Sequence, residues 1–133
     1  FYFLFFKGKK FGIGEFRWKD NAMYLGGVKN DMLHGEGMYT WADGKRYKGY
    51  WQENCMHGHG VLENPDGTKY EGNFERNKKQ GFGKYWYNKT KIYEGMWVQG
   101  KQHGKGKIIK KKVEKSSRII TCSILISKNL IIK

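Results

Sequence analysis

One proline and two cysteines in 133 residues set the first limits on this chain. Cys55 and Cys122 are too few, and too far from any CxxC spacing, to build a disulfide framework or a zinc site, so the expected setting is a reducing compartment. No apolar run approaches the roughly eighteen residues that a membrane span requires. The opening FYFLFF is apolar, but it has no preceding basic region and no small-residue cleavage site, so it falls short of a signal peptide. Acidic residues are also scarce: 12 Asp and Glu stand against 26 Lys and Arg. An enzyme needs a nucleophile, acid and base that converge, and nothing of that kind is written here.

The resulting formal charge of +14 favours polyanionic partners, among them anionic lipid headgroups and acidic protein surfaces. The lysines are spread through the whole chain, as in KRYK at 45–48, RNKK at 76–79 and KIIKKK at 107–112, and not gathered on one recognition helix. A mean hydropathy of -0.80 is lean for a packed globular core. What apolar content exists is largely aromatic: 5 Trp, 9 Tyr and 8 Phe, beside 19 Gly. Short aromatic strands punctuated by glycine are the natural reading, and a helical protein is excluded.

The chain repeats itself every 23 residues. Tyr24, Tyr47, Tyr70 and Tyr93 share this stride, followed in each case by Gly26, Gly49, Gly72 and Gly95, then by Val28, Trp51, Phe74 and Trp97. A second signature keeps step: Gly35-x-Gly37, Gly58-x-Gly60, Gly81-x-Gly83 and Gly104-x-Gly106, with Gly12-x-Gly14 one period upstream. A fixed period of this length marks a stacked-repeat architecture. Within each unit the periodicity is two, the mark of a strand. Tyr47, Gly49 and Trp51 share one face while Lys48, Tyr50 and Gln52 share the other; Gly35, Gly37, Tyr39 and Trp41 align similarly, as do Gly81, Gly83, Tyr85 and Tyr87.

Two connections per unit are expected. ADGK at 42–45 and PDGT at 65–68 supply Asp-Gly, whose glycine accepts the positive φ of a tight hairpin. KNDMLHG at 29–35 and VQGKQHG at 98–104 read as longer connections. The chain is then an antiparallel meander, two strands per repeat. Glycine is costly inside a strand, so its recurrence beside aromatic positions implies that each one vacates space for a Tyr or Trp ring lying flat on the sheet.

At the ends the pattern wears. Phe1, Phe3 and Phe5 occupy the Tyr, Gly and Trp positions of a degenerate unit over 1–23, which reads as a cap. Repeats extend over 24–112, and 113–133 is a tail outside the register. From Lys111 onward the register fails: KKVEKSS reads as a charged linker and RIITCSILIS as a β-prone run that caps the last open edge or docks into a partner.

The unit Y-x-G-x-W, a loop, H-G-x-G and a D-G turn resembles the MORN (membrane occupation and recognition nexus) repeat. Residues 47–69 are nearly a consensus copy; departures are Val28 at the Trp position, Gln80 at the His position, and Lys89 and Thr90 in place of turn Asp and Gly. The resemblance implies an all-β, elongated single-layer antiparallel sheet of stacked hairpins with an aromatic groove. It also implies a non-enzymatic scaffold that binds helical or extended segments of protein subunits within larger assemblies, as MORN modules do in radial spoke heads, parasite cytoskeleton and junctional membranes. The expected setting is cytoplasmic, with cytoskeleton, cilium or axoneme as the assembly.

The residues expected to line that groove are Tyr24, Tyr47, Trp51, Tyr70, Phe74, Tyr93 and Trp97, with Tyr39, Trp41, Tyr85 and Tyr87 from the Gly-x-Gly strands. Aromatic rows on one layer cannot all bury one another, so part of the stripe should stay open to a partner. The alternative is a peripheral anchor that binds anionic phospholipid through Lys45, Arg46, Lys78, Lys79, Lys110, Lys111 and Lys112. Base stacking of nucleic acid on the rings is disfavoured, because no RNA-binding motif is present. His57-x-His59 has chelating spacing, yet His34, His57 and His103 are a repeat position and fit a structural hydrogen bond better than a metal. No metal or cofactor is expected.

Overall fold

In a computed structural model, residues 2–111 and 125–132 are described. They form an open eleven-stranded antiparallel sheet whose strands lie in sequence order. The strands are β1 (Tyr2–Phe6), β2 (Lys9–Arg17), β3 (Met23–Lys29), β4 (Met32–Thr40), β5 (Arg46–Gln52), β6 (Cys55–Glu63), β7 (Lys69–Glu75), β8 (Lys78–Trp86), β9 (Lys91–Val98), β10 (Lys101–Lys110) and β11 (Leu125–Ile132). Ten spacings of roughly 4.8 Å make the stack about 48 Å long. The period-two pattern holds as expected: along β5, Tyr47, Gly49 and Trp51 are buried and the residues between them exposed. β1 and β2 pair in the same sheet as the repeats, and β11 runs antiparallel on β10. All of the linker after Lys111 and the first seven residues of the apolar run at 118–127 lie outside the described residues.

The two kinds of connection exchange roles relative to expectation. The stretches read as longer loops are two-residue turns, with both residues at positive φ: Asn30 and Asp31, Glu53 and Asn54, Arg76 and Asn77, Gln99 and Gly100. Two consecutive left-handed residues make the primed hairpin turn whose twist matches the strands. The Asp-Gly stretches are the longer connections, residues 41–45 and 64–68. In the first, Gly44 N donates to Trp41 O at 3.0 Å and Trp41 N to Lys45 O at 2.8 Å, while Asp43 Oδ1 accepts from Lys45 N at 2.9 Å. Gly44 takes the positive φ, as expected, but as the last of the turn's four residues and not at a central position. Where Lys89 and Thr90 replace Asp and Gly, Asn88 Oδ1 accepts from Thr90 N and Lys91 N, both at 2.8 Å.

Successive tight turns are tied to one another. Asn54 Oδ1 accepts from Leu33 N and Asn77 Oδ1 from Met56 N, both at 2.8 Å, and Asp31 Oδ1 accepts from Lys10 N at 2.7 Å. The next such position is Gly100, which has no side chain to offer. There Gln80 Oε1 accepts from Gln99 N at 2.9 Å, so the departure at Gln80 restores the link lost at Gly100.

The glycines divide into two groups. Gly26, Gly49, Gly72 and Gly95 face Gly37, Gly60, Gly83 and Gly106 across the ladder, and a tyrosine ring lies over each pair. A Cβ on Gly49 would come within 2.7 Å of both Tyr47 Oη and His59 O, so the site has no room for one. This is the vacancy the sequence implies. The first glycine of each Gly-x-Gly is different: around a Cβ at Gly35 or Gly104 nothing lies within 4 Å, yet φ is +80 and +70. These glycines serve a β-bulge, where the register slips between Gly26 and Val28 and again between Gly49 and Trp51. The expected role of vacating space for a ring therefore does not hold for Gly35, Gly58, Gly81 and Gly104; their backbone conformation is what calls for glycine.

Candidate functional site

The site must be built from whatever aromatic surface the fold leaves uncovered. Tyr24, Tyr47, Tyr70 and Tyr93 leave none, being 0% exposed. Each lies across its glycine pair and donates from Oη to the carbonyl three residues on: Gly27 at 2.8 Å, Tyr50 at 3.0 Å, Asn73 at 2.8 Å and Met96 at 3.1 Å. Trp51, Phe74 and Trp97 stand edge-on between them: Tyr47 contacts Trp51 and Phe74 at 5.1 Å between ring centroids, and Tyr70 contacts Phe74 at 5.0 Å and Trp97 at 5.2 Å. Trp51 Nε1 and Trp97 Nε1 donate to Gly37 O and Gly83 O at 3.2 and 3.3 Å. Burial, with the Glu36 carboxylate adding, pushes the Tyr24 phenol up to about 12; burial raises Tyr47, Tyr70 and Tyr93 as well. These seven residues, expected to line the groove, form the core instead, because each ring is clamped between its neighbours and the sheet.

Tyr39, Trp41, Tyr85 and Tyr87 are the expected groove residues that keep open surface. They fall into two groups. Trp18, 43% exposed, meets Tyr39 at 5.3 Å, and Tyr39 meets Trp41 at 4.6 Å. Tyr85 meets Tyr87, 37% exposed, at 4.9 Å. Between the groups the equivalent positions hold Leu62 and Asn64, so the aromatic row is interrupted. A depression of about 350 Å³ adjoins the second group, walled by Tyr85, Tyr87 and Trp97, with Lys79, Lys101, Gln102 and Gly100. Sequence reasoning omitted Trp18, Lys101 and Gln102 from the site. Trp18 was legible, since it stands one period before Trp41; Lys101 and Gln102 enter only because the tight turn carries β10 back beside β9.

The profile of the MORN repeat matches residues 4–23, 24–46, 47–69, 70–90 and 93–111. The chain belongs to the MORN-repeat family. Among the curated proteins none matches it. MORN repeats suggest a protein that binds other proteins or membranes, and the family is generally non-enzymatic. The five matched units include residues 4–23, whose β1 and β2 carry the worn copy.

On this MORN sheet the basic residues do not converge. Arg46 pairs with Glu63 at 2.9 Å on the face away from the rings. Lys45 lies 4.4 Å from the Trp41 ring centroid and Lys91 4.6 Å from that of Tyr87. Lys78, Lys110 and Lys111 are exposed, and Lys112 lies outside the described residues. Lys79 is half-buried among Tyr70, Tyr85 and Trp97, at 5.4, 5.1 and 5.1 Å from their centroids. Burial first, and the charge of Lys45 second, lower its pKa from the ordinary lysine value.

The MORN histidines do not make the expected loop-end hydrogen bond: among the described residues only Gln80, at that position, accepts one. His34 instead sets its ring edge-on to Tyr50 at 5.9 Å. His59 approaches Glu71 at 4.0 Å, and among the described residues no three His, Cys, Asp or Glu side chains gather as metal ligands would. No helix there is long and apolar enough to cross a membrane.

Proposed function

We propose that this chain is a non-enzymatic scaffold that docks one helical or extended segment of a partner protein across its aromatic face, inside a larger assembly of the cytoskeletal or ciliary kind. The observation that supports it is the split of the open rings into two groups, at Trp18, Tyr39 and Trp41 and at Tyr85 and Tyr87. β4 and β8 are four strand spacings apart, about 19 Å. A helix covers that distance in about 13 residues, an extended segment in about six. Two aromatic anchors per segment are the arrangement in which a few rings carry most of the binding energy. Asp43 and Asp66 have a structural role, accepting turn N–H groups.

The other reading, a basic anchor on anionic phospholipid, has the charge but not the geometry. Of its cations, Arg46 is paired with Glu63 and Lys45 and Lys79 are laid over rings, while the exposed Lys78, Lys110 and Lys111 sit on separate strands, Lys78 on β8 and the other two at the end of β10.

A photo-crosslinking residue placed separately at Trp41, Tyr87 and, on the opposite face, Lys48 of the full chain tests the proposal. The same protein should be captured at Trp41 and Tyr87 but not at Lys48. Equal capture at Lys48 would overturn the reading. So would salt-sensitive flotation with phosphatidylserine vesicles that competes with capture at both ring positions.

A further inference from the structure

Lys79 holds a position that is apolar or neutral in neighbouring repeats: Leu33 and Met56 before it, Gln102 after it. Met56 pairs with Trp51, and Lys79 correspondingly with Phe74. An ammonium therefore sits where the preceding repeats place an uncharged, apolar side chain. Its Nζ lies 5.1–5.4 Å from the centroids of Tyr70, Tyr85 and Trp97, whose faces attract a cation but offer no lone pair. Among the described residues no carboxylate or carbonyl accepts from it. The depression it adjoins has no acidic lining residue, and Lys101 stands exposed beside it. Gln102 Nε2 donates to Tyr87 Oη at 2.7 Å, which leaves the phenol's own proton free to donate.

The geometry points to this depression as the seat of one carboxylate, an aspartate or glutamate side chain of the docked segment. Its oxygens accept from Lys79 Nζ and Tyr87 Oη, while Tyr85 and Trp97 pack against its methylenes. Charge complementarity selects this occupant: Lys79, Lys101 and Tyr87 line one depression, with nothing negative in its wall. A bilayer of headgroups would instead need cations gathered on a common rim. The inference rests on the docking reading given above and adds the chemistry of one of its two anchors.

The test titrates the full chain with the blocked peptide Ac-Ala-Glu-Phe-Ala-NH2 and with its glutamine counterpart, followed through the Trp97 indole N–H and the Lys79 ε-methylene resonances. The glutamate peptide should give saturable shifts, and the glutamine peptide should bind about tenfold more weakly. Lys79→Met, which installs the residue found at the Met56 position, should keep the folded spectrum and erase the preference. Equal binding of the two peptides, a preference that survives Lys79→Met, or no saturable shift up to about 10 mM would each overturn the assignment. A larger Lys79 response to phosphatidylserine vesicles would overturn it too. If the crosslinks at Trp41 and Tyr87 persist while the glutamate preference is missing, the carboxylate seat alone falls; if both fail, so does the docking reading.

Discussion

Two glycines on one strand, Gly35 and Gly37, should respond to the same substitution for different reasons and by different amounts. A Cβ on Gly37 would run into Oη, Cζ and Cε2 of Tyr24, three atoms of one ring, so the ring itself must move. That ring is 0% exposed, donates to Gly27 O at 2.8 Å, and meets Trp51 edge-on at 5.7 Å. Overpacking costs about 1–3 kcal/mol, the displaced hydrogen bond about 1 kcal/mol, and the lost edge-to-face contact about 0.5–1.5 kcal/mol. Against these, alanine restricts the unfolded chain by about 0.4–1 kcal/mol. The net expectation for Gly37→Ala is a loss of about 1.5–5 kcal/mol, centred near 3 kcal/mol, a large share of the stability typical of a domain.

Gly35→Ala meets nothing within 4 Å and has only the left-handed conformation to oppose it, at about 1–2 kcal/mol. Gly35→Asn should cost less, since asparagine tolerates that region. Urea unfolding followed by tryptophan fluorescence measures all three, with unchanged slopes showing that stability and not compactness has moved. If Gly37→Ala loses no more than Gly35→Ala, the division of the glycines into ring seats and bulge residues is wrong.

Asn77→Ala leaves Met56 N without its side-chain acceptor and puts alanine at a φ of 69, so it should cost about 2 kcal/mol; amide exchange at Met56 should quicken while that at Leu33, held by Asn54, does not. Trp97→Phe copies what Phe74 already does one repeat earlier, losing the donor to Gly83 O and the part of the indole packed against Tyr70 and Tyr85, so it should cost about 1–3 kcal/mol, against about 3–5 kcal/mol for Trp97→Ala by thermal melts. Alkali should unfold the sheet in a defined window. The buried tyrosines hold their protons above the ordinary value of 10.0, and Tyr24 does so to about 12. Their contribution is complete below pH 10 and is lost as pH rises toward the folded value, because the unfolded chain ionises first. Phenolate absorbance at 295 nm should therefore show the buried class titrating together with loss of β signal; full ionisation by about pH 10.5 in a still-folded protein would refute the burial.

The repeat stride, the strand faces and the tyrosine-over-glycine seat were legible because all three are periodic in sequence. The tight turns were not. Glu53 and Arg76 take φ values of 47 and 45, which their own preferences oppose, and nothing in EN or RN announces it. The twist of the flanking strands imposes that turn, while Asp-Gly drew the expectation of a tight hairpin to the wrong connection. The Asn54 and Asn77 links were hidden for another reason: each spans 21 residues and exists only once two turns are stacked.

The largest gap concerned which rings are open, and a single physical fact governs it. A single layer has no second layer to cover its aromatics, so it must cover them with one another, and the best-repeated rings are the ones that do so. Tyr24, Tyr47, Tyr70 and Tyr93 are interchangeable for that purpose and are wholly buried by it. On the proposed docking reading, recognition then falls to positions where the repeats disagree: Trp18, Trp41, Asn64 and Tyr87 in one row, and Leu33, Met56, Lys79 and Gln102 in another. A substitution that makes the repeats more alike, such as Asn64→Tyr, should leave the fold intact while joining the two ring groups into one. Such a variant should bind a partner segment less selectively, which is measurable as a smaller ratio of affinities between the native segment and a scrambled one. An unchanged ratio would show that the interruption at Leu62 and Asn64 plays no part in selection.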